Sequence, residues 1–311
     1  MPFHAAALPP RMHPPEWRQR LPAPRFTAAQ CAGGYAGVLD LPHAKAMRPN
    51  PVLILAAMLS LLLPVLPARA AAPPARAGHF VDRELVHEGR RYPYAVFVPS
   101  STHQAPLPVV LFLHGSGERG SDGQAQATAG LGNWLRRNMD AFPALVVFPQ
   151  VPPGEEWMGG NARMALAALD AASAEFGGDP ARTYATGMSM GGYGTWEVAL
   201  AAPQRFAALV PVCGGVKPPR AERPTLFVTA VAGEADPYTA LASRLKHVPA
   251  WLFHGARDDL VPAEDDRRLH RAAQAVGADF RYTEYPDGNH NAWDATYSDP
   301  AMWAWLFAQR R

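Results

Sequence analysis

Cysteine is nearly absent from this sequence: Cys31 and Cys213 are the 2 among 311 residues. A disulfide-stapled scaffold is therefore excluded, since such folds need several pairs to make up for a small core. No Cys/His cluster has metal-ligand spacing, so no metal is expected. An excess of charge of one sign is also missing. The 29 Lys and Arg are set against 27 Asp and Glu, a net charge of +2, and without a basic stripe there is no nucleic-acid partner to expect. Neither a Walker phosphate loop nor a dinucleotide G-x-G-x-x-G with its acidic follower occurs, so no nucleotide or other organic cofactor is expected. The longest apolar run, Val52 to Leu66, is interrupted by Pro64 and falls short of the roughly 20 residues a membrane span needs.

That run has another reading. Met47-Arg48-Pro49-Asn50-Pro51 gives it a basic start and Ala68-Arg69-Ala70 an Ala-x-Ala end, the three parts of a secretory signal peptide. Residues 47–70 are therefore expected to be a signal peptide, with a mature chain beginning near Ala71 in a secreted or periplasmic protein. Residues 1–46 are crowded with proline and lack a lasting helix or strand period. They are expected to be a disordered leader or an over-extended gene start, with Met47 as the true one. In the mature chain Cys213 stands alone between apolar neighbours, as a small core residue does.

Residues 71–311 are the length of a single domain. Apolar runs at Tyr94–Val98, Val109–Leu113, Leu145–Phe148, Thr183–Thr186, Ala207–Val212, Trp251–Phe253 and Phe280–Tyr285 predict strands. Helical patterns at Asn161–Phe176, Gly192–Ala202, Ala263–Val276 and Pro300–Gln309 alternate with them, ending at Gly or Pro stops. The alternation predicts an α/β fold, a mostly parallel doubly wound sheet with helices on both faces. The stretch 214–247 breaks the rhythm. Its apolar run Thr225–Val231 is either an extra strand or part of an insertion packed over a cleft, followed by a short helix at Thr239–Lys246.

The chemistry concentrates in three loops. Gly187-Met188-Ser189-Met190-Gly191 fits G-x-S-x-G between a strand and a helix, the context in which a strained turn presents a serine. A serine hydroxyl needs a base, and His290 in Asp287-Gly-Asn-His-Asn lies after the last predicted strand. Asp258, at the end of the Trp251–Phe253 strand, completes the order Ser…Asp…His and would orient His290; its neighbour Asp259 is the competitor. Two backbone donors for an oxyanion are expected at Met190 and, in the loop His114-Gly115-Ser116-Gly117, at Ser116. Trp157 and Trp293, in loops after strands, are candidates to line the substrate cleft, with a partly buried place in the core as the alternative for both.

Together, His114-Gly-Ser-Gly-Glu-Arg-Gly120, the Gly187–Gly192 elbow, His254-Gly-x-x-Asp258-x-x-Val261-Pro262 and His290 resemble the α/β-hydrolase superfamily. More narrowly they are similar to secreted esterases and predicted peptidases near the dienelactone hydrolase, phospholipase/carboxylesterase and polyhydroxybutyrate depolymerase-like groups. The resemblance implies an α/β-hydrolase fold, a Ser189–His290–Asp258 triad, an acyl-enzyme and no cofactor. The expected activity is a carboxylesterase on small soluble esters. A peptidase of the same fold and a non-catalytic binding module on that fold are the alternatives.

Overall fold

The longest apolar runs set the centre of the molecule. Leu107–Leu113 is buried at every position. Its alternate residues serve opposite layers: Val109, Leu111 and Leu113 join one apolar cluster, Val110 and Phe112 the other. A strand with no polar face must be covered on both sides, which a parallel sheet flanked by helices provides.

A computed structural model describes residues 77–311, so the leader and signal-peptide readings lie outside the described residues. The strands are β1 (His79–His87), β2 (Arg90–Val98), β3 (Leu107–Leu113), β4 (Leu145–Pro149), β5 (Gly178–Met188), β6 (Ala208–Val212), β7 (Ala250–Gly255) and β8 (Phe280–Tyr285). They form one sheet in the order β1-β2-β4-β3-β5-β6-β7-β8. The first two pairings are antiparallel and every later one is parallel. The helices are α1 (Leu131–Leu135), α2 (Gly160–Phe176), α3 (Met190–Ala201), α4 (Pro237–Arg244), α5 (Glu264–Val276), α6 (Trp293–Ser298) and α7 (Pro300–Ala308).

Leu169 of α2, Trp196 of α3, Leu241 of α4 and Leu269 of α5 cover one face of the sheet. Leu131 of α1, Tyr297 of α6 and Trp303 of α7 cover the other. The sheet is therefore doubly wound, as the alternation of the sequence predicts. Helix ends follow local chemistry. Gly177 and Gly277 end α2 and α5 in the left-handed conformation at φ 73° and 70°, a region open to glycine without penalty.

Two parts differ from the sequence reading. The antiparallel edge strand β1 was not anticipated. And Thr225–Val231 forms no strand: β6 pairs directly with β7, so the sheet has no slot for it. It holds only a 3-10 turn at Thr229–Val231. The short helix begins two residues before its predicted start, because Asp236 accepts from the Tyr238 and Thr239 amides and Pro237 occupies its first turn.

Candidate active site

The parallel strands deliver their carboxyl ends to one edge, and the sequence-predicted residues gather there. Ser189 sits between the end of β5 and the start of α3 with φ 54° and ψ −120°, a conformation that costs any residue with a Cβ. The glycines around it answer to close packing. A Cβ on Gly191 would lie 1.8 Å from the Leu113 carbonyl oxygen, and one on Gly187 would lie 2.2 Å from that of Gly191. No side chain fits at either place.

His290 follows β8, and its Nε2 lies 2.9 Å from Ser189 Oγ. Its Nδ1 donates to Asp258 Oδ2 at 2.7 Å. Asp258, in the loop after β7, also accepts from the Leu260 and Val261 amides at 2.8 Å each. Asp259 is exposed and holds no such position. Burial pushes the Asp258 carboxyl up, but hydrogen bonds from His254, His290 and the backbone outweigh it and hold it well below the usual carboxylate range.

Behind Asp258 lies a partner that sequence reasoning missed. His254 is 0% exposed. Its Nδ1 donates to Asp266 Oδ2 at 2.8 Å, and its Nε2 faces the Val261 carbonyl at 2.9 Å and Asp258 Oδ2 at 3.2 Å. Every atom facing the ring is an acceptor, so both nitrogens carry protons. Burial pulls the imidazole down, but the hydrogen bonds to Asp258 and Asp266 raise it to about 10. Burial also pushes the Asp266 carboxyl up, but the second carboxylate, Asp258, and the Val261 carbonyl on the Nε2 side favour the proton on the imidazole. Asp266 belongs to the charged run Glu264-Asp265-Asp266-Arg267-Arg268, which reads as a solvated helix face. The one available signal was its position within the first turn of a helix beginning just after the Asp258 loop.

The loop after β3 packs beside Ser189. A Cβ on Gly115 would stand 3.7 Å from the Ser189 Cβ. His114 anchors this loop: its Nε2 accepts from the Val151 amide at 3.0 Å, and its Nδ1 faces the Gly115 carbonyl at 2.6 Å. A nitrogen that accepts an N–H carries no proton, so this ring is neutral, and burial lowers it to about 4. Trp157 requires a correction. It is 2% exposed, donates its indole N–H to the His114 carbonyl at 2.9 Å and packs edge-on to the His114 ring. It braces the loop from within the core instead of facing substrate. Ser116 lines the cleft, and Met190 opens α3 next to Ser189.

The cleft itself holds about 260 Å³ beside Ser189 and His290. Trp293 lines it and packs edge-on to His290, ring centres 5.6 Å apart. Its outer wall comes from the 214–247 segment, through Pro219, Arg220, Arg223 and Leu226. That segment is pinned to helices. Asp265 of α5 accepts from the Val216 and Lys217 amides and the Tyr238 hydroxyl, while Glu197 of α3 accepts from Thr229. Of the two readings of this stretch, the insertion packed over the cleft is the one observed.

Sequence comparison matches residues 155–308 to the prolyl oligopeptidase family. A thermostable esterase of known structure shares 29% identity and superposes with a TM-score of 0.61, over 75% of this chain and 63% of its own. The chain has the α/β-hydrolase fold. FphF, a fluorophosphonate-binding serine hydrolase of Staphylococcus aureus, shares the hydrolase fold at 18% identity and a TM-score of 0.58, over 75% of this chain and 100% of its own. A curated relative from Arthroderma benhamiae, an uncharacterized secreted protein, is 25% identical over 212 residues. That stretch is 60% of this chain but 21% of the relative. The chain thus spans about a fifth of the curated relative it matches, and just under two thirds of the thermostable esterase. Among the described residues, no helix is long and apolar enough to cross a membrane.

Proposed function

We propose that this chain is a carboxylesterase of small soluble esters, working through Ser189, His290 and Asp258. Ser189 Oγ attacks the ester carbonyl as its proton passes to His290 Nε2. The oxyanion that forms is held by the Ser116 and Met190 amides. Collapse breaks the carbon–oxygen bond to the alcohol, which takes the proton from His290. Water then repeats the sequence on the acyl-serine, His290 acting again as base. The observation that carries this reading is the hydrogen-bonded chain from Ser189 through His290 to Asp258 at 2.9 and 2.7 Å, opening on a cleft. Asp258 and Asp266 with one imidazolium between them leave a net negative charge behind His290, which favours its protonated state as the transition state forms.

A fluorophosphonate probe is expected to label the wild-type protein and to leave Ser189→Ala unlabelled. Labelling that survives the substitution would overturn the assignment of the nucleophile. The match to the prolyl oligopeptidase family favours a peptidase as the second reading. Faster turnover of peptide anilides than of 4-nitrophenyl esters would select it. The same reading includes export: a signal peptide at residues 47–70 and a single catalytic domain over residues 71–311, supported by the apolar run before Ala68-Arg69-Ala70 and by the secreted relative. Amino-terminal sequencing of exported protein addresses it.

A further inference from the structure

The outer wall of the cleft is a tight turn. The Arg223 amide donates to the Arg220 carbonyl at 3.0 Å, and both arginine side chains line the cleft. They differ in commitment. Arg223 uses one nitrogen, Nη2, which donates to Ser116 Oγ at 3.0 Å and to Glu156 Oε1 at 3.2 Å. Glu156 also takes Arg119 at 2.8 Å, so one carboxylate serves two guanidiniums. Arg220 is exposed and has neither a carboxylate nor an aromatic partner among the described residues. By contrast, Arg136 and Arg281 lack a carboxylate but lie over the rings of Phe80 and Trp251.

The acidic group among the residues that line the cleft is Glu118. One of its oxygens, Oε2, is buried with no hydrogen-bond partner, and burial pushes its carboxyl up against the hydrogen bonds from the Gly115 and Glu118 amides. The remaining wall is apolar, formed by Met188, Leu226 and Trp293 among others. The cleft therefore offers an apolar floor near the nucleophile and an underneutralised pair of guanidiniums at its rim. A guanidinium fork matches the geometry of a carboxylate.

We propose that the cleft selects esters that carry a free carboxylate, with the anionic end held by Arg220 and Arg223 on the 220–223 turn. This rests on the esterase reading and adds a substrate class to it. With about 260 Å³ available, the carboxylate must lie only a few carbons from the scissile carbonyl. A half-ester of a short dicarboxylic acid has that form: an apolar spacer against Met188 and Trp293, a reactive carbonyl at Ser189 and an anion at the rim.

The test compares two esters with the intact protein, a 4-nitrophenyl half-ester of glutaric acid and the same compound with its free carboxylate methyl-capped. The kcat/KM ratio is expected to favour the anionic ester by about tenfold at low salt, the scale of an ionic hydrogen bond in a partly screened site. High salt should shrink the ratio. Arg220→Gln should bring it close to one, and Arg220→Glu should invert it. Arg220 is exposed, so these variants are expected to melt with the wild type, and a melting curve confirms that the ratio is read on folded protein. Equal rates on the two esters, or a preference that persists in Arg220→Glu, would overturn the inference while leaving the esterase standing. Failure to hydrolyse either ester, together with no fluorophosphonate labelling, would bring down the esterase reading itself.

Discussion

His114 and His254 occupy equivalent places. Each lies at the carboxyl end of a parallel strand, His114 just after β3 and His254 as the next-to-last residue of β7, each precedes a glycine, and each is 0% exposed. Yet one ring is neutral and the other is a cation. The cause is the atom that faces Nε2: a backbone N–H from Val151 for His114, a backbone C=O from Val261 for His254. Burial alone penalises the charge at both sites. At His254 two carboxylates outweigh that penalty, and at His114 nothing does. The two sites do different work as a result. The neutral ring fixes the loop beside Ser189, and the charged ring steadies Asp258, which holds His290. A buried histidine's role here is read from its partners and not from its burial.

The acid side of this comparison is expected to break most severely. Asp258→Asn leaves His290 without its carboxylate and should lower kcat by about 10⁴, the scale of the analogous change in serine proteases. Asp259→Asn should leave kcat within a few-fold. Steady-state kinetics with a neutral ester measures both, and a larger loss in Asp259→Asn would transfer the role to that residue.

A smaller effect sharpens the contrast between the rings. His254 has its folded-state value raised to about 10, so its contribution to stability is complete below the ordinary histidine value near 6.5 and is lost as pH rises through about 10. His114, lowered to about 4, contributes in the opposite sense. Its share is complete above about 6.5 and is lost as pH falls through about 4. His254→Gln leaves two buried carboxylates without their cation and should cost about 3–5 kcal/mol at pH 7. The gap to wild type should close toward pH 10 and should not close on the acid side. Thermal melts of both proteins from pH 5 to 10 check this, and a gap constant across the alkaline range would remove the charge from His254.

Much of this was legible in the sequence, for identifiable reasons. β3 and β5 have buried apolar segments at the sheet's centre, and such runs announce themselves. Ser189, His290 and Asp258 each stand in a turn after a strand, and because the ends of parallel strands converge, these residues distant in sequence meet at one edge. β1 was missed because an edge strand alternates only weakly; its burial pattern mixes half-buried and exposed positions. Trp157 was misassigned because loop position was taken for exposure, while its indole N–H had a carbonyl partner inside the core. Asp266 was invisible because its charged neighbours mask a side chain that is 0% exposed. The segment 214–247 resisted reading because its order comes from distant carboxylates, Glu197 and Asp265, and not from a period of its own.

The backbone at Ser189 has a consequence for the durability of the molecule. At φ 54° and ψ −120° the nucleophile occupies a conformation that glycine adopts freely and that costs other residues about 1–3 kcal/mol. The fold thus carries a permanent load in exchange for a reactive hydroxyl, and only the loss of the Cβ would lift it. Ser189→Gly and Ser189→Ala both lack the hydroxyl, yet the glycine protein should melt higher, the reverse of the usual ranking of these two residues. Calorimetry on the pair decides it: an alanine variant as stable as the glycine one would mean that the elbow carries no load. A lineage that stopped needing the reaction would have every reason to let this serine go first.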